Sequence, residues 1–559
     1  MTGEQRVEEL RPAAPPRPLN AGPRSAGQIV RRLVVYSLLA VLVGVAATGV
    51  AGLLGLLLDR DTLLAGDNTS SVAQYLAFTL IGGPLAALLW WSVWRRLAEP
   101  AERGSLAWGL YLSAVLIVSL IVFSSALLEV MSELIDGDWN GPRCAIAAVW
   151  AAVWVWHDQS WRNRSKSPSR LATVPAVLGA SFGLILGAGS AIATLAIVFD
   201  AALVRLVGTA LVEGAWVIGA LQSLIWALGG AAVWAWHWYR AGARTSSTAF
   251  AQVALVVLGI LGATVATLGG LGMTLFVLLR LAVDRTDPLT SILAPLPVAL
   301  ASAVIGGAIW IYARAATRTR PAATAEAAVL ATSGVSLAGA ASGIGVIINS
   351  ALALLATPLA GDDTRTLLLG GLSALLVGAP VWWFAWRPYG RADASRQSTG
   401  RRVYLIAIFG ISAVVALITL LVIGFRLFEF VLGGSEGLIE RVRAPLGLLT
   451  ATALVAGYHF SVWRSDRADV DADADAAQQA PPERQRHISE VILVTGANSA
   501  PLVRALEQAT GASVTVWPTQ GTAVAGVEPA AVVGALDGVT GSRVLVVATD
   551  HIDVVPLAD

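Results

Sequence analysis

One exit signature recurs along this chain: an apolar stretch runs into aromatic residues and stops at an arginine. The fullest copy is Gly378-Ala379-Pro380-Val381-Trp382-Trp383-Phe384-Ala385-Trp386-Arg387. Earlier copies are Leu89-Trp90-Trp91-Ser92-Val93-Trp94-Arg95, Trp154 through Trp161-Arg162, Trp234-Ala235-Trp236-His237-Trp238-Tyr239-Arg240 and Trp310-Ile311-Tyr312-Ala313-Arg314. Tyr458-His459-Phe460-Ser461-Val462-Trp463-Arg464 is the last. A signature returning about every 60–80 residues marks an array of one supersecondary unit, which constrains the fold more tightly than any local propensity.

The unit is a pair of apolar segments. A spanning helix needs about 20 predominantly apolar residues, and twelve such segments lie between residues 33 and 463: 33–58 with 74–95, 105–130 with 142–159, 171–199 with 216–239, 249–280 with 292–313, 325–356 with 366–387, and 402–430 with 443–463. The expected fold is an all-α polytopic membrane protein of six helix-hairpin repeats: 30–97, 104–162, 170–240, 248–316, 325–389 and 401–464. Hydrophobic residues are 56% of the 559 and charged ones 13%, a balance foreign to soluble chains of this length. The first apolar run exceeds the core of a signal peptide, so it reads as a retained helix. Net charge is +1, which gives no global attraction to nucleic acid. The single cysteine, Cys144, excludes intrachain disulfides.

Charge alternates with the hairpins. The connections after each second helix are basic: Arg95, Arg96 and Arg103; Arg162, Arg164, Lys166 and Arg170; Arg240 and Arg244; Arg314, Arg318 and Arg320; Arg387, Arg391, Arg396, Arg401 and Arg402. The turns inside hairpins are acidic: Asp59, Asp61 and Asp67; Glu133, Asp136 and Asp138; Asp284 and Asp287; Asp362 and Asp363; Glu436 and Glu440. Lysine and arginine are retained on the cytoplasmic side, so both termini are expected there, in the bacterial cytoplasmic membrane.

The flanks differ in kind. Residues 1–29, rich in Pro, Arg and Glu, read as a disordered cytoplasmic tail. Residues 465–486 read as an acidic and proline-containing linker; Asp469, Asp471, Asp473 and Asp475 alternate, but an EF-hand loop counted from Asp471 would place Ala476 and Pro482 where Gly and Glu belong. From 487 to 559, β-branched runs alternate with helical ones and predict a small α/β domain: strands at 491–494, 513–517, 543–548 and 552–555, and helices from Ser499, as N-cap, to about 508 and over 529–536. Val494-Thr495-Gly496-Ala497-Asn498-Ser499 lacks the further glycines of a dinucleotide cradle, Ala500 and Pro501 standing in their place. His551 beside Asp550 and Asp553 reads as a turn between strands.

Candidate functional residues are few. Trp94, Trp161, Trp386 and Trp463 suit interface anchors, because an indole has an apolar body and a polar N–H, and the following arginines can snorkel to headgroups. His157 and His459 sit four residues before Trp161 and Trp463, a slot filled by Trp90 and Trp382 in two other copies; interface histidines could sense pH, while tryptophan in the slot argues against a shared metal or proton relay. Polar groups inside a bilayer are costly and therefore candidates. Glu129, Asp200, Arg280, Arg426 and Glu429 lie near the outer ends of first helices, where Arg280 with Asp284 and Arg426 with Glu429 can pair at helical spacing. Asn349 and Ser350 are polar neighbours well inside a helix. Stripes such as Gly183 to Gly187, Gly339 to Gly343 and Gly262 through Gly269-Gly270 permit close helix packing, although a gating hinge would look alike. Pro295 and Pro445 are expected in first turns and Pro380 within a helix, as a kink.

The segment Arg32-Leu33-Val34-Val35-Tyr36, opening the first hairpin, and Trp91-Ser92-Val93-Trp94-Arg95-Arg96, closing it, resemble an uncharacterised bacterial membrane family, domain of unknown function 5671. Its units are helix pairs ending at a Trp/His-rich, Trp-Arg boundary. The resemblance covers roughly 30–464 and implies architecture only; repeats four and six depart from it, with Ala313 and Phe460 at aromatic slots. No catalytic, cofactor or metal constellation stands out. The expected function is a non-enzymatic membrane scaffold or sensor whose partners are the lipid bilayer and a protein bound by the tail, with a transporter or channel for a small solute as the alternative.

Overall fold

The computed structural model describes residues 23–59, 69–208, 215–354, 364–388, 398–433, 437–479, 488–496, 498–519, 527–537, 539, 541–549 and 551–557. The loop charges Asp61, Asp67, Asp362, Asp363, Arg391, Arg396 and Glu436, with residues 1–22 and 480–486, lie outside them. The chain divides into two compact units, 1–463 and 464–559.

The first unit is built from long helices: α1 (Pro23–Leu58), α2 (Thr69–Arg96), α3 (Leu106–Asp136), α4 (Gly141–Arg162), α5 (Val174–Val207), α6 (Trp216–Arg240), α7 (Ala249–Val283), α8 (Leu289–Thr317), α9 (Ala322–Ala353), α10 (Thr364–Trp386), α11 (Thr399–Gly433) and α12 (Leu438–Gln479). Local chemistry marks their ends. Ser105 and Asn140 cap α3 and α4 by accepting from the N–H groups of Trp108 and Arg143, at 3.3 and 3.0 Å. Gly137 and Gly208 end α3 and α5 in the left-handed region, with φ of 87° and 78°. Among the described residues, three stretches are wound as π-helix: Phe78–Gly82 in α2, Trp236–Arg240 in α6 and Leu255–Gly262 in α7.

Eleven helices among the described residues are long and apolar enough to cross a membrane, and α4 is not one of them. It has a spanning length of 22 residues. Its tryptophans, His157, Asp158 and Arg143 lower its hydropathy.

Several expected boundaries change. Helix α1 already runs from Pro23, within the stretch read as a tail, and α12 carries on through the acidic run to Gln479, where a linker was expected. Alternating aspartates do not break a helix that a long apolar run has nucleated. Because α12 begins at Leu438, Pro445 lies inside it and not in its first turn, while Pro380 is inside α10 as expected.

The packing follows one rule. Within hairpins, α1 packs on α2, α3 on α4, α5 on α6, α7 on α8 and α9 on α10; α11 and α12 meet through Phe409 and Phe460, whose rings lie 5.8 Å apart. Between hairpins, the second helix of each docks on the first helix of the hairpin before it: α4 on α1, α6 on α3, α8 on α5 and α10 on α7. The same step brings α12 to α9, where a Cβ on Gly447 would come 2.2 Å from the carbonyl oxygen of Gly345. In lipid such close backbone approach supplies helix association. At α5 and α6, a Cβ on Gly230 would meet the Gly187 nitrogen at 2.3 Å.

The second unit is a four-stranded sheet, β1 (Glu490–Thr495), β2 (Ser513–Pro518), β3 (Arg543–Ala548) and β4 (Ile552–Leu557), in the order β2-β1-β3-β4. Strand β1 is parallel to β2 and β3, with Leu493 opposite Val516 and Val546, and β4 runs antiparallel to β3. Helices α13 (Ser499–Thr510) and α14 (Pro529–Gly534) cross between strands. The N-cap is Asn498, one residue before the expected Ser499; its side chain accepts from the Ala500 N–H at 3.4 Å. Val491, Leu493, Leu506, Val532, Val544 and Val546 form the fully buried core.

Candidate functional site

The exit signatures converge, in the structure, on buried clusters of aromatic rings, histidine and a charged pair at the basic ends of the hairpins. In the first four helices the carboxylate of Glu102, in the turn between α2 and α3, accepts from Arg32 Nε at 2.9 Å and from the Tyr36 hydroxyl at 3.1 Å. Tyr36 packs on Trp108 and Tyr111, with ring centroids 5.5 and 5.8 Å away. Tyr111 reaches His157 Nε2 at 3.0 Å, and His157 Nδ1 lies 2.8 Å from the Val153 carbonyl oxygen. A carbonyl can only accept, so Nδ1 carries the proton and Nε2 accepts from the Tyr111 hydroxyl. The Lys166 ammonium closes the cluster by donating to the Trp94 carbonyl at 2.9 Å.

The last four helices repeat the arrangement with the charges exchanged. Here the carboxylate comes from the first helix: Glu326 accepts from the Arg401 N–H at 3.1 Å and from the Ser398 hydroxyl. The Arg401 side chain is buried and lies 6.0 Å from the Trp386 ring centre. Trp386 stacks on Tyr404 at 5.1 Å and donates from its indole to the Tyr458 hydroxyl at 2.8 Å. His459 Nδ1 donates to Val455 at 2.8 Å, but Tyr404 pairs with Ser333 at 3.0 Å instead of with the imidazole. His459 Nε2 is buried without a hydrogen-bond partner among the described residues.

His157 and His459 are therefore interior groups with 0% exposure, not side chains at a wet interface. Trp386 likewise is 2% exposed and serves as core, whereas Trp91, Trp156 and Trp383 face outward from the same signatures. Trp94, Trp161 and Trp463 are half-buried. A third histidine belongs with these two. His237 in α6 donates from Nδ1 to Val233 at 2.8 Å, and its ring fills the space against Gly179, where a Cβ would come within 2.3 Å. The signal was in the sequence: Val153, Val233 and Val455 each precede a buried histidine by four residues, after an aromatic immediately before it.

At the acidic ends, charge is paired. Arg280 lies 2.7 Å from Asp287 and 3.8 Å from Asp284. Asp284, just beyond α7 and buried, accepts from the Thr286 hydroxyl at 2.9 Å, the Thr286 N–H at 3.4 Å and the Thr366 hydroxyl at 3.2 Å. Its pKa is held below the ordinary carboxylate value, first by the Thr286 hydroxyl, against the opposing effect of burial and with help from Thr366 and Arg280. Glu429 joins Arg426 at 2.9 Å and Arg441 at 3.4 Å, and Glu129 joins Arg143 at 3.1 Å. Ser350 donates to the Val346 carbonyl at 2.9 Å, while the buried Oδ1 of Asn349 has no partner among the described residues. A cavity of about 420 Å³ brings Asp284, Thr286 and Ser350 together.

Two mostly apolar clefts open between neighbouring hairpins. One, of about 340 Å³ between α5–α6 and α7–α8, is floored by the π-wound stretch of α7 and walled by Trp234, Trp238 and Tyr312; Trp238 donates to the Tyr312 hydroxyl at 2.6 Å. The other, of about 600 Å³ between α7 and α9–α10, has Met273 and Phe276 on one side and Gly339 on the other. Within the glycine stripes the roles separate. Gly343 and Gly270 would place a Cβ 2.6 and 2.4 Å from neighbouring backbone, whereas Gly339 and Gly269 meet nothing within 4 Å and line the second cleft.

The eleven long apolar helices among the described residues, packed hairpin on hairpin with tryptophans at their ends, define a multi-pass helical membrane protein. The family model described as Domain of unknown function (DUF5671) matches it twice, at residues 32–143 and 326–458. Neither match reaches the helices between them, so the resemblance over 30–464 narrows to the two ends of the array. Each match also spans more than one helix pair, the second running from α9 into α12; the family unit is thus larger than the single hairpin expected from the exit signature. No curated protein and no solved structure matches the chain.

Proposed function

We propose that the chain is a non-enzymatic scaffold or sensor of the bacterial cytoplasmic membrane, with twelve spans, both termini in the cytoplasm, and an α/β tail that binds a protein partner. The observation carrying this reading is the docking rule, in which each hairpin after the first seats its second helix on the first helix of its predecessor. Arrays built by repeating one contact are held by nearest-neighbour interfaces and present extended surfaces. The basic connections support placing the signature ends, and with them the tail, in the cytoplasm.

A transporter for a small apolar solute is the second reading, favoured by the two clefts, whose walls are mostly apolar. A photo-crosslinking residue at the exposed Gln508 of the full chain, activated in living cells, separates the two. The scaffold reading expects one discrete protein adduct, abolished by unfolding the tail. Absence of any adduct there, together with uptake of an apolar dye by proteoliposomes, would favour the transporter.

A further inference from the structure

The cavity of about 240 Å³ between the second and third hairpins differs from the apolar clefts in having a charged end and an apolar wall. Its charged end holds Arg162, Arg240, Asp158 and His237, all at the basic ends of α4 and α6. Asp158 is engaged by Arg162, whose Nε lies 2.7 Å away, so that carboxylate is already neutralised. Arg240 has no ion-pair partner among the described residues. The π-winding of α6 over Trp236–Arg240 is what brings Trp236, His237 and Arg240 to the same cavity, since the wider turn closes with the Ala241 N–H on the Trp236 carbonyl at 3.0 Å. The N-terminus of the 34-residue helix α5 adds to Arg240 a second positive element: Ala172 and Pro175 line the cavity, and the cap residue Thr173 makes no side-chain cap bond. From this end the wall runs down α3 through Leu116 and Leu120, about 17–23 Å into the helix from Ser105.

We infer that this cavity binds the phosphate of an anionic phospholipid, with the headgroup against Arg240, Arg162 and the first turn of α5 and an acyl chain along Leu116 and Leu120. A guanidinium without a carboxylate partner, next to a helix N-terminus, is matched to a phosphate oxygen. A free phosphate would use the same donors but gain nothing from the apolar wall, which is why a lipid is the source. The site needs only that α3 and α6 stand in a bilayer, and is independent of what the tail binds.

The test uses the purified full-length chain in detergent, supplied with phosphatidylglycerol or phosphatidylcholine of identical acyl chains, with bound lipid counted by native mass spectrometry. One site should retain phosphatidylglycerol over phosphatidylcholine by about fivefold or more, the ratio expected from roughly 1 kcal/mol for one basic side chain at a lipid headgroup. Arg240→Gln should bring the two lipids to parity, and Arg240→Lys should restore most of the preference, with unchanged thermal midpoints showing that both variants fold. Equal retention of both lipids by the unaltered protein would overturn the inference, as would a preference that survives Arg240→Gln. In a third arm, inorganic phosphate at 100-fold molar excess should not displace the lipid; complete displacement would assign the site to free phosphate instead.

Discussion

The contrast between Tyr111 and Tyr404 isolates what one hydroxyl does in a buried cluster. Tyr111→Phe leaves His157 Nε2 without its donor and is expected to cost about 1–3 kcal/mol, the penalty for an unsatisfied buried acceptor. Tyr404→Phe is expected to cost under about 1 kcal/mol, because the Ser333 hydroxyl it abandons can turn to a carbonyl of its own helix. Denaturant titration of both variants in detergent checks the order; equal losses would contradict it. Asp284 supplies a pH test. Its folded pKa is depressed, so its stabilising contribution is present above the ordinary value of 3.8 and is lost as pH falls through the lower folded value. Asp284→Asn should therefore lower the thermal midpoint at pH 7, and the gap to the unaltered protein should close below about pH 4. A gap unchanged between pH 7 and pH 3 would exclude this role. The sequence exposed the Arg280–Asp284 and Arg426–Glu429 pairs because helical spacing alone brings them together. It hid Glu102 and Arg401, which look like solvated loop charges until Tyr36 and Glu326 close over them from helices about 70 residues away.

Helices pack here through a subset of glycines, and the subset is what a sequence stripe cannot reveal. Gly230→Ala forces a methyl onto the Gly187 backbone and is expected to destabilise the protein by about 1–3 kcal/mol. Gly269→Ala projects into an open cleft and is expected to be neutral within about 0.5 kcal/mol. Thermal unfolding followed by tryptophan fluorescence distinguishes them, and comparable shifts would show that the stripe acts as a whole. The positions of the long apolar helices were legible because spanning segments must be apolar over a fixed length. The π-wound stretches were not, since Trp236–Arg240 and Leu255–Gly262 have no composition that sets them apart from ordinary helix. The continuation of α12 past Arg464 was misread because charge pattern signals solvation, not the end of a helix. In the tail, all four strands could be placed from β-branched runs, and the cap moved by one residue because Asn498 and Ser499 are both competent N-caps.

For the whole molecule, the division into two units makes the tail separately breakable. Leu506→Ala should remove about 2–5 kcal/mol from the tail, seen as faster amide exchange in β1 and β3, with exchange in α5 and α6 unchanged; acceleration in both units would mean that they unfold together. The docking rule was only partly legible, because a repeated exit signature announces a repeated hairpin but says nothing of which neighbour receives it. A cytoplasmic tail on twelve spans requires the chain to change membrane sides at every helix, including α4, whose tryptophans and charges lower its hydropathy. The most direct measurement replaces Cys144 and places single cysteines at Asp138, Ser165 and Gln508, bracketing α4 and marking the tail, then applies an impermeant thiol reagent to intact cells. Labelling is expected at position 138 alone, with 165 and 508 labelled only after permeabilisation. Labelling of 138 and 165 from the same side would remove α4 from the membrane, and labelling of 508 in intact cells would reverse the placement of the tail.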